Sequence, residues 1–203
     1  MTGVITGDII NSRRLKEPKV WMDALKNALS YLSSDTKYWE IYRGDSFQIE
    51  LKDYDSCFTA ALYLKACVKT IKGLDVRLAI GIGNKTFDGN DVTESNGEAF
   101  VFSGETLESL KKEKQNLRIK TTNSSIDKEL NLYFKLALIT MDNWSVNSAE
   151  IVKLSIENPM ALQSELGKRI GINQNSVSNR QKRAHLYEIL ELDELFRHKV
   201  SLL

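Results

Sequence analysis

A chain of 203 residues suits one or two domains, and an apolar fraction of 42% is enough for a proper core. A formal net charge of +1 supplies no overall field for nucleic acid or anionic surfaces, so any such contact must come from a local patch. No run of about 18 apolar residues offers a membrane helix, the N-terminus lacks a basic region followed by a long apolar stretch, and only Cys57 and Cys67 are present, so the expectation is a cytoplasmic protein that crosses no membrane.

The first predicted element is a short buried strand that ends in Gly7-Asp8, with Asn11 and Ser12 opening the exit loop. A linker with Arg13 and Arg14 leads to Pro18, a residue suited to the first turn of a helix. Trp21, Leu25, Leu29 and Leu32 then recur at helical spacing, which predicts an amphipathic helix to about Ser33. Tyr38 to Leu51 reads as a β-hairpin. Ile41 and Tyr42 precede Gly44-Asp45, and Phe47, Ile49 and Leu51 alternate with polar residues after it. Ser56 is the expected N-cap of a helix carrying Phe58, Leu62, Leu64, Ala66, Val68 and Ile71, ended by Gly73. On that helix the two cysteines would lie about 15 Å apart along the axis, too far to bridge.

Asp75 to Gly83 is an aliphatic strand, and Asn84 to Gly97 is dense in turn signals. A loop and helix follow to Lys114, then a strand over Leu117 to Thr121 and an amphipathic helix over Ile126 to Met141. The succession predicts an α+β domain over 1–141, a sheet covered by helices. From 142 to 203 only helices are expected: Ser148 to Glu157, stopped by Asn158-Pro159; Met160 to Ile170; a turn at Gly171-Ile172-Asn173; and Gln174 to Leu190. Asp193 to Leu203 reads as a short closing helix or tail.

Two positions suggest chemistry in the first domain. Asp8 sits at a strand end and Asp45 at a hairpin tip. Carboxylates so placed on neighbouring strands can share a pair of magnesium ions, roughly 3.5–4 Å apart in polymerase-type sites, and the ions can hold phosphates. The alternative is that each merely caps a turn, as Asp after Gly does often. Gly7 and Gly44 beside them, with Arg43 and Lys85, are the candidate nucleotide contacts, and Arg13 and Arg14 are further cations.

The set Gly7-Asp8, Gly44-Asp45-Ser46-Phe47 and Val76-Arg77-Leu78-Ala79-Ile80-Gly81-Ile82-Gly83 resembles the SatD family. More distantly it resembles the palm of class III nucleotide cyclases and GGDEF proteins. The resemblance implies a ferredoxin-like, nucleotide-cyclase-like palm whose first strand and Gly-Asp hairpin supply the metal carboxylates, with magnesium as cofactor. The chain departs from those palms where Val101 and Glu105 stand in place of a cyclase Asn and Arg, and where Ser46 follows Asp45 in place of a GGDEF acid.

The second site lies in the helical tail. Gln174, Asn175, Ser176, Ser178 and Asn179 suit base edges or phosphates in a major groove. Arg180, Lys182 and Arg183 suit the DNA backbone. Gly171 takes the turn, Ile172 plugs the core, Val177 faces inward, and small Gly167 allows a close crossing. The run Gly171 to Ser178 resembles the recognition half of bacterial helix-turn-helix regulators, region four of sigma factors most of all. The expected protein is a SatD-type, double-stranded-DNA-binding transcription regulator. It would act as a homodimer, since one recognition helix reads few bases. Its palm would bind a nucleotide or metal ligand, or mediate assembly. The rival expectation is a magnesium-dependent nucleotidyl cyclase or nucleotidyltransferase with a DNA-binding appendage.

Overall fold

β1 (Thr2–Ile10) is the central strand of the five-stranded sheet, paired along both edges. In the computed structural model, which describes residues 1–15 and 17–203, the sheet order is β2-β3-β1-β4-β7. Here β2 is Trp39–Tyr42, β3 Ser46–Leu51, β4 Asp75–Gly83 and β7 Leu117–Lys120. β1 is antiparallel to both β3 and β4, β2 is antiparallel to β3, and β7 is parallel to β4. β1 runs two residues past Asp8 because Ile9 and Ile10 still pair with Val76 and Asp75.

Alternation along β1 separates two cores. Ile5 and Ile9 join Phe47, Ile49, Leu78 and Ile80 against helices α1 (Pro18–Leu32), α2 (Cys57–Lys69) and α4 (Ser124–Met141). On the other face Val4 meets Val92, Ala99 and Phe100, and Ala79 meets Leu107 and Leu110, all beneath α3 (Glu98–Glu113). α1 starts at Pro18 and buries Trp21, Leu25, Ala28 and Leu29 at the expected helical spacing. α2 is buried nearly all round, Thr59 excepted, because the sheet lies on one side of it and later helices on the other.

That burial forces compensation for two lysines. Lys65 Nζ, fully buried, donates to Asp75 Oδ1 and Asp142 Oδ1, both at 2.7 Å. Lys69 Nζ donates to Asp75 Oδ2 at 3.1 Å and to the Asp142 carbonyl at 2.8 Å. The network ties the exit of α4 to the middle of the molecule. Ser56 stands at the start of α2 but does not cap it: its hydroxyl donates to the Asp53 carbonyl at 2.6 Å. The 84–97 stretch holds a small antiparallel pair, β5 (Lys85–Phe87) and β6 (Asn96–Gly97), among its turns.

Beyond Asp142 lie α5 (Val146–Glu157), α6 (Gln163–Ile170), α7 (Gln174–Ala184) and α8 (Leu186–Val200). The single helix expected over Gln174 to Leu190 is two. His185 is left-handed at φ 52°, and the Ala184 carbonyl accepts the Trp144 indole N–H at 2.9 Å. The break re-aims the chain so that Leu186, Ile189, Phe196 and Val200 reach the main core. The segment expected as a short closing helix or tail is the second half of α8, whose Phe196 ring lies 5.7 Å from Phe58 and 6.2 Å from Phe134. Among the described residues no helix is long and apolar enough to cross a membrane.

Candidate functional site

The α6–α7 corner is built by local chemistry. α6 ends at Gly171, left-handed at φ 70°. A Cβ on Gly167 would stand 2.4 Å from the Ile172 carbonyl oxygen, so only glycine lets the chain fold back this closely. Asn173 then caps α7, its Oδ1 accepting from the Ser176 N–H at 2.8 Å. Val177 is buried with Ile151 and Leu166, and Ile170 and Ile172 pack on them.

With Val177, Gln181 and Ala184 inside, the opposite face of α7 is fixed. Asn175, Asn179, Lys182 and Arg183, at i, i+4, i+7 and i+8, are exposed on it, and Gln174 is exposed at the N-terminal end. Ser176 and Ser178 are half-buried at the flanks. Arg180 departs from the expected set. It turns toward α5, where its guanidinium donates to Glu150 Oε2 at 2.5 Å. It is one turn from the buried Val177, so its side chain leaves the helix toward the neighbour and not toward solvent. Lys168 and Arg169, at the end of α6, are exposed as well.

The two carboxylates of the sheet lie at one end of β1. The Asp45 carbonyl accepts from the Ile9 N–H at 3.0 Å, and Asp8 pairs with Ser46 across the β1–β3 ladder. The turn between β2 and β3 passes through Arg43 (φ 51°) and Gly44 (φ 90°), both left-handed. Each carboxylate already has a partner. Arg77, opposite Asp8 on β4, donates to Asp8 Oδ2 at 3.1 Å, and the Ser12 hydroxyl donates to Asp45 Oδ2 at 2.5 Å. Asp8 Oδ1 and Arg77 Nε are buried with no hydrogen-bond partner among the described residues. Burial pushes the Asp8 carboxyl above 3.8. Arg77 and Lys111 pull it down, and the nearby Asp45 carboxylate adds a smaller upward push.

Of the expected nucleotide contacts, Gly7 stays beside Asp8 on β1 and Lys85 lies elsewhere. Gly7 faces the core, where a Cβ would meet the Phe47 ring at 2.5 Å, so its small size serves ring packing. Lys85 follows Gly83, which pairs with Thr2 at the far end of β1 from Asp8, six residues or about 20 Å away. It donates to Glu50 Oε2 at 2.6 Å and pairs with Asp88 at 2.7 Å. Arg43 is exposed at the hairpin tip beside Asp45 and Gly44. Glu105 lines a groove between α3 and α4. Sequence reasoning missed Arg77, Ser12 and Lys111 as neighbours of the carboxylates. For Arg77 the signal was a lone cation inside an aliphatic strand, legible only once its register against Asp8 is known.

Compared with protein-family models, curated proteins and solved structures, the chain matches none. The functional reading rests on the geometry of its own residues.

Proposed function

We propose that this chain binds double-stranded DNA through α7, as a regulator whose N-terminal part is a ferredoxin-like palm and whose α5–α7 unit is a helix-turn-helix. One observation carries the reading. α7 presents Asn175, Asn179, Lys182 and Arg183 on a single outward face, held by a corner that requires Gly167 and Gly171. Short amides next to paired cations suit base edges beside phosphates. The strand order β2-β3-β1-β4, with α1 and α2 on one face, supports the palm reading of the sheet.

The test is duplex binding across a salt series. Lys182→Ala with Arg183→Ala is expected to weaken binding and to lower the slope of log affinity against log salt by about 2, one for each phosphate contact. Arg180→Ala is expected to leave that slope unchanged, because its guanidinium belongs to Glu150. An unaltered slope in the double variant overturns the assignment of α7.

A second reading gives the palm a magnesium ion held by Asp8 and Asp45, which would position the phosphates of a nucleotide. The unpartnered Asp8 Oδ1 and the closeness of the Asp45 charge favour it. Against it stand the two partners already in place, Arg77 and Ser12. Magnesium chloride should then raise the melting temperature of the parent and not that of Asp45→Asn. Equal shifts in both proteins rule the ion out.

A further inference from the structure

α4 has two apolar faces. The inner one, with Leu130, Phe134 and Leu138, belongs to the core. On the outer one Leu132, Leu136 and Ile139 are 56%, 57% and 70% exposed. Their spacing, i, i+4 and i+7, lines them into one stripe along the crest of the helix. A continuous aliphatic stripe in water marks a contact surface. On one flank of the crest an apolar groove of about 560 Å³ runs between α4 and α8, and the exposed Glu188 and Glu191 of α8 border it. On the other flank Lys128 and Lys135 of α4 are exposed beside the groove toward α3. Next to the crest the order is acidic on α8, apolar, then basic on α4, and Glu105 and Glu113 of α3 lie farther out across the second groove.

We propose that this crest is the interface between two copies of the chain, related by a two-fold axis running along α4. The charge order names the occupant and the axis. Rotation about an axis parallel to α4 lays crest on crest and carries the basic flank of each copy onto the acidic flank of the other. An axis perpendicular to α4, in the plane of contact, sets like charge against like. The parallel arrangement leaves both copies of α7 at the same end of the dimer. The interface stands whatever α7 binds.

The experiment is sedimentation equilibrium of the full chain across the micromolar range. The expected parent mass is twice 23.1 kDa. Leu136→Glu should raise the dissociation constant by about tenfold or more while leaving the circular dichroism of the fold intact. Lys128→Glu with Lys135→Glu, and separately Glu188→Lys with Glu191→Lys, should each be monomeric alone and should form a heterodimer when mixed. Leu132→Cys and Ile139→Cys should each give a self-linked dimer with a short bismaleimide. The native thiols stay out of this reaction, because burial pushes both upward, Cys67 to about 12. A parent that is monomeric at every concentration overturns the proposal, as does a dimer indifferent to Leu136→Glu. Cross-linking only between the two different cysteine variants overturns the parallel axis.

Discussion

Asp8 is held in the folded chain at a position that disfavours its charge. Its folded pKa lies above the ordinary 3.8, with burial the largest cause and Arg77 pulling the other way. The native state therefore binds this proton more tightly than the unfolded chain does. The stability this contributes is complete below 3.8 and is lost as pH rises through the folded value. Asp8→Asn cannot lose it. Urea denaturation over a pH series should show the variant gaining on the parent as pH rises through that window, then running parallel to it. A difference that stays flat across the window means that the pull of Arg77 balances burial, and a variant that loses ground means that it outweighs burial. Gly167 is constrained by space alone. Alanine there would put Cβ 2.4 Å from the Ile172 carbonyl, so Gly167→Ala should cost about 1–3 kcal/mol in chemical denaturation as the α6–α7 corner is pushed open. The same variant should bind duplex more weakly than the parent if α7 is the reading head.

At the scale of the element, β7 shows how an exposed sheet edge is closed. It is the last strand of the sheet, and a free edge invites pairing with another chain. Asn131 of α4 blocks it. Its Oδ1 accepts from the Ile119 N–H at 2.8 Å, and its Nδ2 donates to the Ile119 carbonyl at 2.9 Å. One side-chain amide thus mimics a neighbouring strand. Asn131→Leu keeps the volume and removes both bonds, so it should cost about 1–3 kcal/mol and increase light scattering on heating. Asn131→Asp keeps the acceptor alone and should fall between the two. No change in either measurement would mean that water already serves this edge. α7 and α8 make the complementary point about helices. The polar run of α7 continues into an amphipathic run, yet the break at His185 divides them, because the second run reaches the core only in a new direction.

For the whole molecule, Phe196 is the residue through which the C-terminal helix joins the α2–α4 core. Its ring is fully buried against Phe58 and Phe134, which themselves stack at 4.8 Å. Removing it leaves a cavity between elements far apart in sequence. Phe196→Ala should cost about 3–5 kcal/mol and lower the midpoint of thermal unfolding. The change should register in the signal of the sheet as well as that of the tail helices, since both are anchored on these rings. A loss confined to the helical signal would show that the tail unfolds by itself. Lys65 contributes to the same junction, with Asp75 and Asp142 giving a fully buried cation two anions.

Local patterns along the chain are enough to set the individual elements. Pro18 and the Trp21, Leu25, Leu29 spacing make α1; Gly44 turns the hairpin; Gly171 ends α6; Val177 faces inward. Each of these follows from the conformational limits of one residue or from the period of a few turns, and neighbours along the chain suffice to set them. Which partner each charge received follows only from the packed fold. Asp8 met Arg77, Asp45 met Ser12, Lys85 went to Glu50 and Asp88 at the other end of the sheet, and Arg180 turned to Glu150. Those pairings depend on strand order and on which helix faces abut, and both are set by burying apolar surface between segments tens of residues apart. A charge then pairs with whatever that burial brings beside it, which no local pattern records.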